Sequence, residues 1–225
     1  MGKPDELATR YYEQGADELL YIDTVASLYG RNNLTNVVKQ AASHLFIPMT
    51  VGGGIRSVED AQELLRSGAD KIAINTAAVK NPELISELAS VLGSQAVVAS
   101  LQVKKMEQGK WEVYVDNGRE KTGVDALMWA KQVEELGAGE ILVTSVDRDG
   151  TGLGLDEEFI SQLVSSVSIP VIAGGGVKTP QDIKNIIENT GVAAVAVASM
   201  LHYNRSTVVG IKSELVNAGI PTANH

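Results

Sequence analysis

The sequence predicts an α/β protein, a (βα)8 TIM-type barrel with a two-fold half-barrel repeat and its first strand missing. Strand-like and helix-like segments alternate over all 225 residues, the strands are apolar nearly throughout, and whole strand–turn–helix units occur twice. IPMTVGGGIRSVED at 47–60 returns as IPVIAGGGVKTPQD at 169–182, with six of fourteen positions identical at an offset of 122. GADELL at 15–20 answers GAGEIL at 137–142 at the same offset, and GADKIAIN at 68–75 answers GVAAVAVA at 191–198 at an offset of 123. A period this long marks a duplicated half-domain, not a solenoid of short repeats.

The strand-like runs are ELLYID (18–23), IPMTVG (47–52), KIAINT (71–76), AVVASLQV (96–103), EILVTS (140–145), IPVIAG (169–174) and AAVAVAS (193–199). Continuous Val and Ile content suits parallel strands covered on both faces. Helical patterns lie between them at 4–14, around 34–44, and at 57–67, 81–92, 125–136, 155–166, 179–189 and 206–217. Several open on Ser, Thr, Asp or Asn followed by Pro or acidic residues, which satisfy the free N–H groups of a first helical turn. KWEVYVDNGREKTG (110–123) reads as a hairpin leaving the barrel top, turning at Asp116–Gly118.

These runs make eight helices but seven strands. Shifted back by one repeat, the strand at 96–103 falls before Met1, so the pattern lacks its first strand. Eight strands set the usual closure of such a barrel. Seven are expected to leave an edge between 18–23 and 193–199 that favours self-association. No Pro/Ser linker divides the chain, so 1–225 is expected to be one barrel domain, with repeat units of about 1–94 and 95–225.

The net charge of −9 is spread along the chain and argues against nucleic acid and anionic membranes as partners. With no cysteine, disulfides and thiolate catalysis are excluded. The start MGKPDELATR lacks the apolar core of a signal peptide, and the longest apolar run, VAAVAVASML, is too short to span a bilayer. A cytoplasmic protein is expected. His44, His202 and His225 lack ligand spacing, so no metal and no cofactor is expected. Trp111 and Trp129 are expected to pack the hairpin and the following helix; Lys104 and Lys105 are placed to meet an anionic substrate near the strand top, with solvated charge as the default expectation.

Each repeat ends a strand on three glycines and then opens a helix, where backbone N–H groups can hold a phosphate. Two copies imply two phosphate sites on one face, and a small molecule phosphorylated at both ends. Asp23, at a strand top, and Asp147 are candidate pocket carboxylates.

VGGGIRSVEDAQELLRSGADKIAINTAAVKNPELI, LGSQAVVAS, LGAGEILVTSVDRDGT and IPVIAGGGV together resemble the cyclase subunit of imidazole glycerol phosphate synthase, over essentially the whole chain. That resemblance implies histidine biosynthesis, lyase-type chemistry on a bisphosphorylated ribonucleotide, and ammonia from a glutaminase docked on the N-terminal barrel face. It places one phosphate site at Gly54, Asn75 and Thr76. The other is placed at Gly150, Gly175, Gly176, Ala198 and Ser199, with Asp149 near the substrate. It also makes Glu18, Lys71 and Glu140 three charged residues of an ammonia gate.

Family members use two carboxylates as general base and acid. The first would lie on the missing strand, and the second position is Gln102. An amide cannot exchange a proton near neutral pH, and such help is typically worth ~10²–10⁴-fold. IDTVASLYGRNNL (22–34) and YVDNGREKTG (114–123) look more like paralogues associated with surface-polysaccharide sugar amidation. A non-cyclising ammonia-conduit paralogue is therefore the alternative function.

Overall fold

The computed structural model describes residues 4–24 and 34–223. Most of the segment 22–34 and His225 lie outside the described residues. The strands are β1 (Leu19–Ile22), β2 (Met49–Gly52), β3 (Lys71–Ile74) and β4 (Val97–Glu107), then β5 (Lys110–Val115) and β6 (Glu120–Asp125), then β7 (Glu140–Ser145), β8 (Val171–Gly174) and β9 (Ala194–Val195). Seven pair in parallel in the order β1-β2-β3-β4-β7-β8-β9, while β5 and β6 extend β4 antiparallel. All seven expected strands are present in a curled α/β sheet of the TIM-barrel type.

The helices are α1 (Pro4–Glu13), α2 (Leu34–Ala42), α3 (Val58–Arg66), α4 (Thr76–Lys80), α5 (Glu83–Leu92), α6 (Ala126–Glu135), α7 (Glu157–Ser166), α8 (Pro180–Thr190), α9 (Ser199–His202) and α10 (Val208–Asn217). Eight match the expected segments. The short α4 and α9 were not anticipated: the chain leaves β3 at Ile74 and β9 at Val195, and helices occupy residues assigned above to strand tails. The expected hairpin is also larger, because β4 runs on to Glu107 and forms a second hairpin with β5. The turn between β5 and β6 spans the four residues Asp116–Arg119, and Asp116, Asn117 and Gly118 adopt positive φ of 49°, 60° and 74°.

The repeat extends to individual backbone hydrogen bonds. Leu19 N–H donates to the Pro48 carbonyl at 2.9 Å, and Ile141 N–H to Pro170 at 2.9 Å. Ala16 N–H donates to Tyr11 at 3.0 Å, and Ala138 N–H to Val133 at 3.0 Å. Helix starts repeat too: Ser57 caps α3 by accepting from Asp60 N–H, and Thr179 caps α8 by accepting from Asp182 N–H.

The main core lies between sheet and helices, where Ile72, Ile85, Leu88, Ile141, Phe159 and Leu163 are fully buried. Burying one such side chain contributes about 1.5–3 kcal/mol. The inward face is different. Because side chains alternate along a strand, Leu20, Ala73, Val98, Leu142, Ile172 and Ala196 form a separate apolar layer inside the barrel. Two residues earlier, Glu18, Lys71 and Glu140 lie at the strand starts. Two residues later, Asn75 and Thr144 lie at the strand ends, and Ser100 lies within the long β4.

Among the described residues β1 and β9 pair with each other nowhere, so the sheet is open between them. All of β2 and β8 is buried, whereas no residue of β1 is and Ala194 of β9 is exposed. The helix layer nonetheless bridges this opening. Tyr11 Oη of α1 lies 2.7 Å from His202 Nδ1 of α9, Lys212 of α10 pairs with Asp17 at 2.6 Å, and Val208 N–H donates to Gln14 Oε1 at 3.1 Å.

This seam carries a pH dependence. Burial first, and the nearby Arg10 charge second, hold the His202 imidazole below its ordinary value. The unfolded chain therefore binds a proton that the folded chain resists. The stabilisation is complete above about pH 6.5, the unfolded value, and is lost as pH falls toward the lower folded value. In thermal unfolding across pH 5–7.5, as an approximate window, His202→Gln should flatten this dependence. Identical slopes for the two proteins would show that His202 does not control it.

Candidate functional site

A cavity of about 550 Å³ opens at the C-terminal ends of β1–β4, lined by residues that include Asp23, Gly54, Arg56, Asn75, Thr76 and Gln102. Its floor is the turn after β2. Gly53 and Gly54 have φ of 113° and 72°. A Cβ on Gly53 would stand 2.4 Å from the Asp23 carbonyl oxygen, so only glycine lets the two turns approach. Asp60 Oδ2 accepts the Arg56 N–H at 2.9 Å and fixes the start of α3.

The second half repeats this construction. Gly175 and Gly176 have φ of 88° and 105°, and a Cβ on Gly176 would stand 2.3 Å from the Gly154 carbonyl. Asp182 Oδ2 accepts the Lys178 N–H at 2.9 Å, the counterpart of the Asp60 bond. The short helices correspond as well: Asn75 before α4 has φ −128° and ψ −83°, and Ala198 before α9 has φ −132° and ψ −69°. In both halves a left-handed glycine pair and the start of a short helix lie at strand ends on the same barrel face.

The structure groups Gly54, Asn75, Thr76 and Gln102 around one cavity. Gly150, Gly175, Gly176, Ala198 and Ser199 lie outside that cavity, after β7, β8 and β9. Asp149 is exposed in the turn after β7, its N–H donating to Ser145 at 2.9 Å. Arg148 holds the neighbouring backbone by donating to the carbonyls of Leu153 and Gly154 at 3.2 and 3.4 Å.

Gln102 joins the hairpin to the strand ends. Its Oε1 accepts from Gly118 N–H at 2.8 Å and from Asn75 Nδ2 at 3.0 Å. Asn75 Nδ2 also donates to the Tyr114 carbonyl at 3.1 Å, while Asn75 Oδ1 is buried without a partner. Asp116 N–H donates to Thr76 Oγ1 at 3.1 Å, and Lys80 approaches the Asp116 carboxylate at 4.0 Å. Sequence reasoning took Asp116–Gly118 only as a turn and passed over Arg56, Lys80 and Asp116. Their signal is tertiary, since the hairpin must fold back before they meet.

At the opposite end, Lys71 Nζ lies 3.1 Å from Glu18 and 2.8 Å from Glu140. Glu18 immediately precedes β1, and Lys71 and Glu140 begin β3 and β7; these strands are not neighbours, so the three side chains meet through the barrel interior. Burial opposes the Lys71 charge, but hydrogen bonds to Glu140 and Glu18 outweigh it and leave the ammonium above its ordinary value. Thr50, fully buried, donates to Glu18 at 2.5 Å. Its apolar neighbours hid this member of the cluster in the sequence.

The remaining candidates take structural positions. Asp147 accepts the Lys105 N–H at 2.8 Å and lies 3.8 Å from Lys104 Nζ. Lys105 Nζ pairs with Glu158 at 2.5 Å. Both tryptophans are buried, and Trp111 donates to Asp156 at 2.9 Å. Asp23 lines the cavity and adds, after burial, to the raised value of Tyr21.

Residues 1–207 match the family described as histidine biosynthesis protein. The chain is 62% identical to a protein of Legionella pneumophila named imidazole glycerol phosphate synthase subunit HisF, over 78% of this chain and 83% of that one. Two proteins of Bacillus cereus with the same name, from strains Q1 and ATCC 10987, are 48% and 47% identical over 98% of this chain and 87% of theirs. All three names bear on histidine biosynthesis and none on sugar amidation. Alternating strands and helices, the twofold glycine-turn geometry and these similarities agree: the chain belongs to the histidine biosynthesis protein family, among the HisF subunits of imidazole glycerol phosphate synthase.

Proposed function

We propose that this chain is the barrel subunit of a cytoplasmic imidazole glycerol phosphate synthase. It binds a bisphosphorylated ribonucleotide at the C-terminal strand ends and receives ammonia from a glutaminase on the N-terminal face. The observation that carries the reading is the doubled cradle, two repeat-related glycine turns each joined by a short helix start on one face. Backbone N–H groups at such positions suit phosphate oxygens. Gly54, Asn75 and Thr76 would take one phosphate, with Arg56 and Lys80 adding positive charge. Gly150, Gly175, Gly176, Ala198 and Ser199 would take the other, with Asp149 beside the substrate.

Ammonia would enter past Glu18, Lys71 and Glu140. Beyond them, the layer of Leu20, Ala73, Val98, Leu142, Ile172 and Ala196 contains no charge. Neutral ammonia crosses such a layer at far lower cost than an ion does. The substrate end therefore receives the nucleophile while ammonium and bulk ions are disfavoured.

A bisphosphate spanning both cradles should bind at least about tenfold tighter than its monophosphate analogues, because the second contact becomes intramolecular. Calorimetric titration of the three ligands tests this, and equal affinities would contradict two-ended binding.

Gln102 cannot donate or accept a proton in turnover. With free ammonium and the ribonucleotide substrate, cyclisation should run about 10²–10⁴-fold slower than in a family member with a carboxylate at this position. Matching turnover numbers would mean that another group carries the proton.

A further inference from the structure

The turns that lead into β2 and β8 are repeat mates, and they share one inside–outside pattern on the N-terminal face. Leu45 and Ile47 are buried while Phe46 and Pro48 are exposed. Val167 and Ile169 are partly covered while Ser168 and Pro170 are exposed. The fold thus makes position 46 and its mate 168 surface positions, whichever side chain stands there. The chemistry at the two differs. In the second half, Glu134 of α6 accepts from Ser168 N–H at 2.8 Å and from the Ser168 hydroxyl. These bonds hold the Glu134 carboxyl below its ordinary value. At the offset of 122, the mate of Glu134 is Tyr12 of α1 and the mate of Ser168 is Phe46. A polar joint in one half is therefore an aromatic pair in the other, with ring centroids 6.3 Å apart and planes inclined by 53°.

Phe46 is 84% exposed, the most of any large apolar side chain among the described residues. Tyr12 packs against the core, so it steers the Phe46 ring without covering it. Serine serves the same turn at 168, so folding does not call for an aromatic at 46. A fixed aromatic ring beside an exposed proline is instead what a partner's apolar pocket takes, and such rings carry much of the energy of protein interfaces. The surroundings are acidic. Glu13 follows Tyr12, and Asp17 and Asp70 precede β1 and β3, the strands on either side of β2. Lys71 and Lys212 at this end already bind carboxylates. A partner seated here needs an apolar pocket rimmed by basic groups. The same face carries Glu18, Lys71 and Glu140, where ammonia would enter.

We propose that Phe46, steered by Tyr12, is the aromatic anchor by which the glutaminase subunit docks, and that it fixes which way round that subunit sits. This rests on the reading above that a glutaminase supplies the ammonia. A face built from two repeats offers two similar orientations half a turn apart. An anchor on the first half, with a hydrogen-bonded serine at the matching place on the second, makes one of them the better fit.

The test is calorimetric titration of the full chain with the glutaminase subunit from the same organism. Phe46→Ser, which installs the residue of the repeat mate, should weaken binding about 30-fold or more. Phe46→Tyr should stay within about fivefold of the unaltered chain, and Ser168→Ala within about threefold. Because position 46 is exposed, the thermal midpoint of Phe46→Ser should equal that of the unaltered chain, which separates a lost anchor from a lost fold. Unchanged affinity in Phe46→Ser, or an equal loss in Phe46→Ser and Ser168→Ala, would overturn the inference alone. So would sedimentation showing that Phe46→Ser dissolves a dimer of this chain while glutaminase binding persists, since the ring would then seat a second copy. No binding by the unaltered chain would overturn the glutaminase reading and this inference together.

Discussion

Parallel direction is the constraint on which the rest depends. When seven strands run the same way around a curled sheet, residues that begin strands share one face and residues that end them share the other. Alternation of side chains then stacks the interior into layers. Glu18, Lys71 and Glu140 are therefore kept apart from Asn75, Ser100 and Thr144 by an apolar layer, although each set is only two residues from that layer along its strands. Charge at one end and hydrogen-bonding groups at the other follow from direction and period. The Lys71 bonds to Glu18 and Glu140 join the charged end into one cluster, in which two carboxylates share one ammonium.

Duplication supplies the second ordering element. The same loop geometry, with positive φ at paired glycines and the same carboxylate cap two residues beyond, occurs after β2 and after β8. Opposed halves present these loops on one face, which is what a ligand phosphorylated at both ends requires. The hairpin of β5 and β6 is tied to the first-half cradle through Gln102, Asn75 and Thr76. Between β9 and β1, among the described residues, helices carry the connection. Family likeness and local chemistry meet at Gln102: the barrel is that of the HisF subunits, and the Gln102 amide oxygen joins the hairpin turn to the strand ends.

Much of this was legible in the sequence. Strands such as IPVIAG and EILVTS announce themselves because burial on both faces demands unbroken apolar runs. The glycine triplets were legible because few residues besides glycine tolerate those φ values and approaches. What stayed hidden had tertiary causes. Helix α4 begins where β-prone KIAINT suggested more strand, because the chain must leave the sheet at the cavity. Thr50 looked like an ordinary strand residue until its hydroxyl was found on Glu18. Asp116 is distant from Thr76 and Lys80 in sequence, and only the folded hairpin brings it to them. The open edge was expected from strand arithmetic, but the Tyr11–His202 bond across it was not, since neither residue carries a local signal.

The central claim is that ligand binds across the two repeat-related cradles at the C-terminal strand ends, remote from the charged cluster. A crystal structure of the chain with a bisphosphorylated ribonucleotide tests it most directly. One phosphate is predicted against the backbone amides around Gly54 and Thr76, and the other against those around Gly176 and Ser199. Density for a phosphate on Lys71 at the opposite face, or for both phosphates within one cradle, would contradict the account.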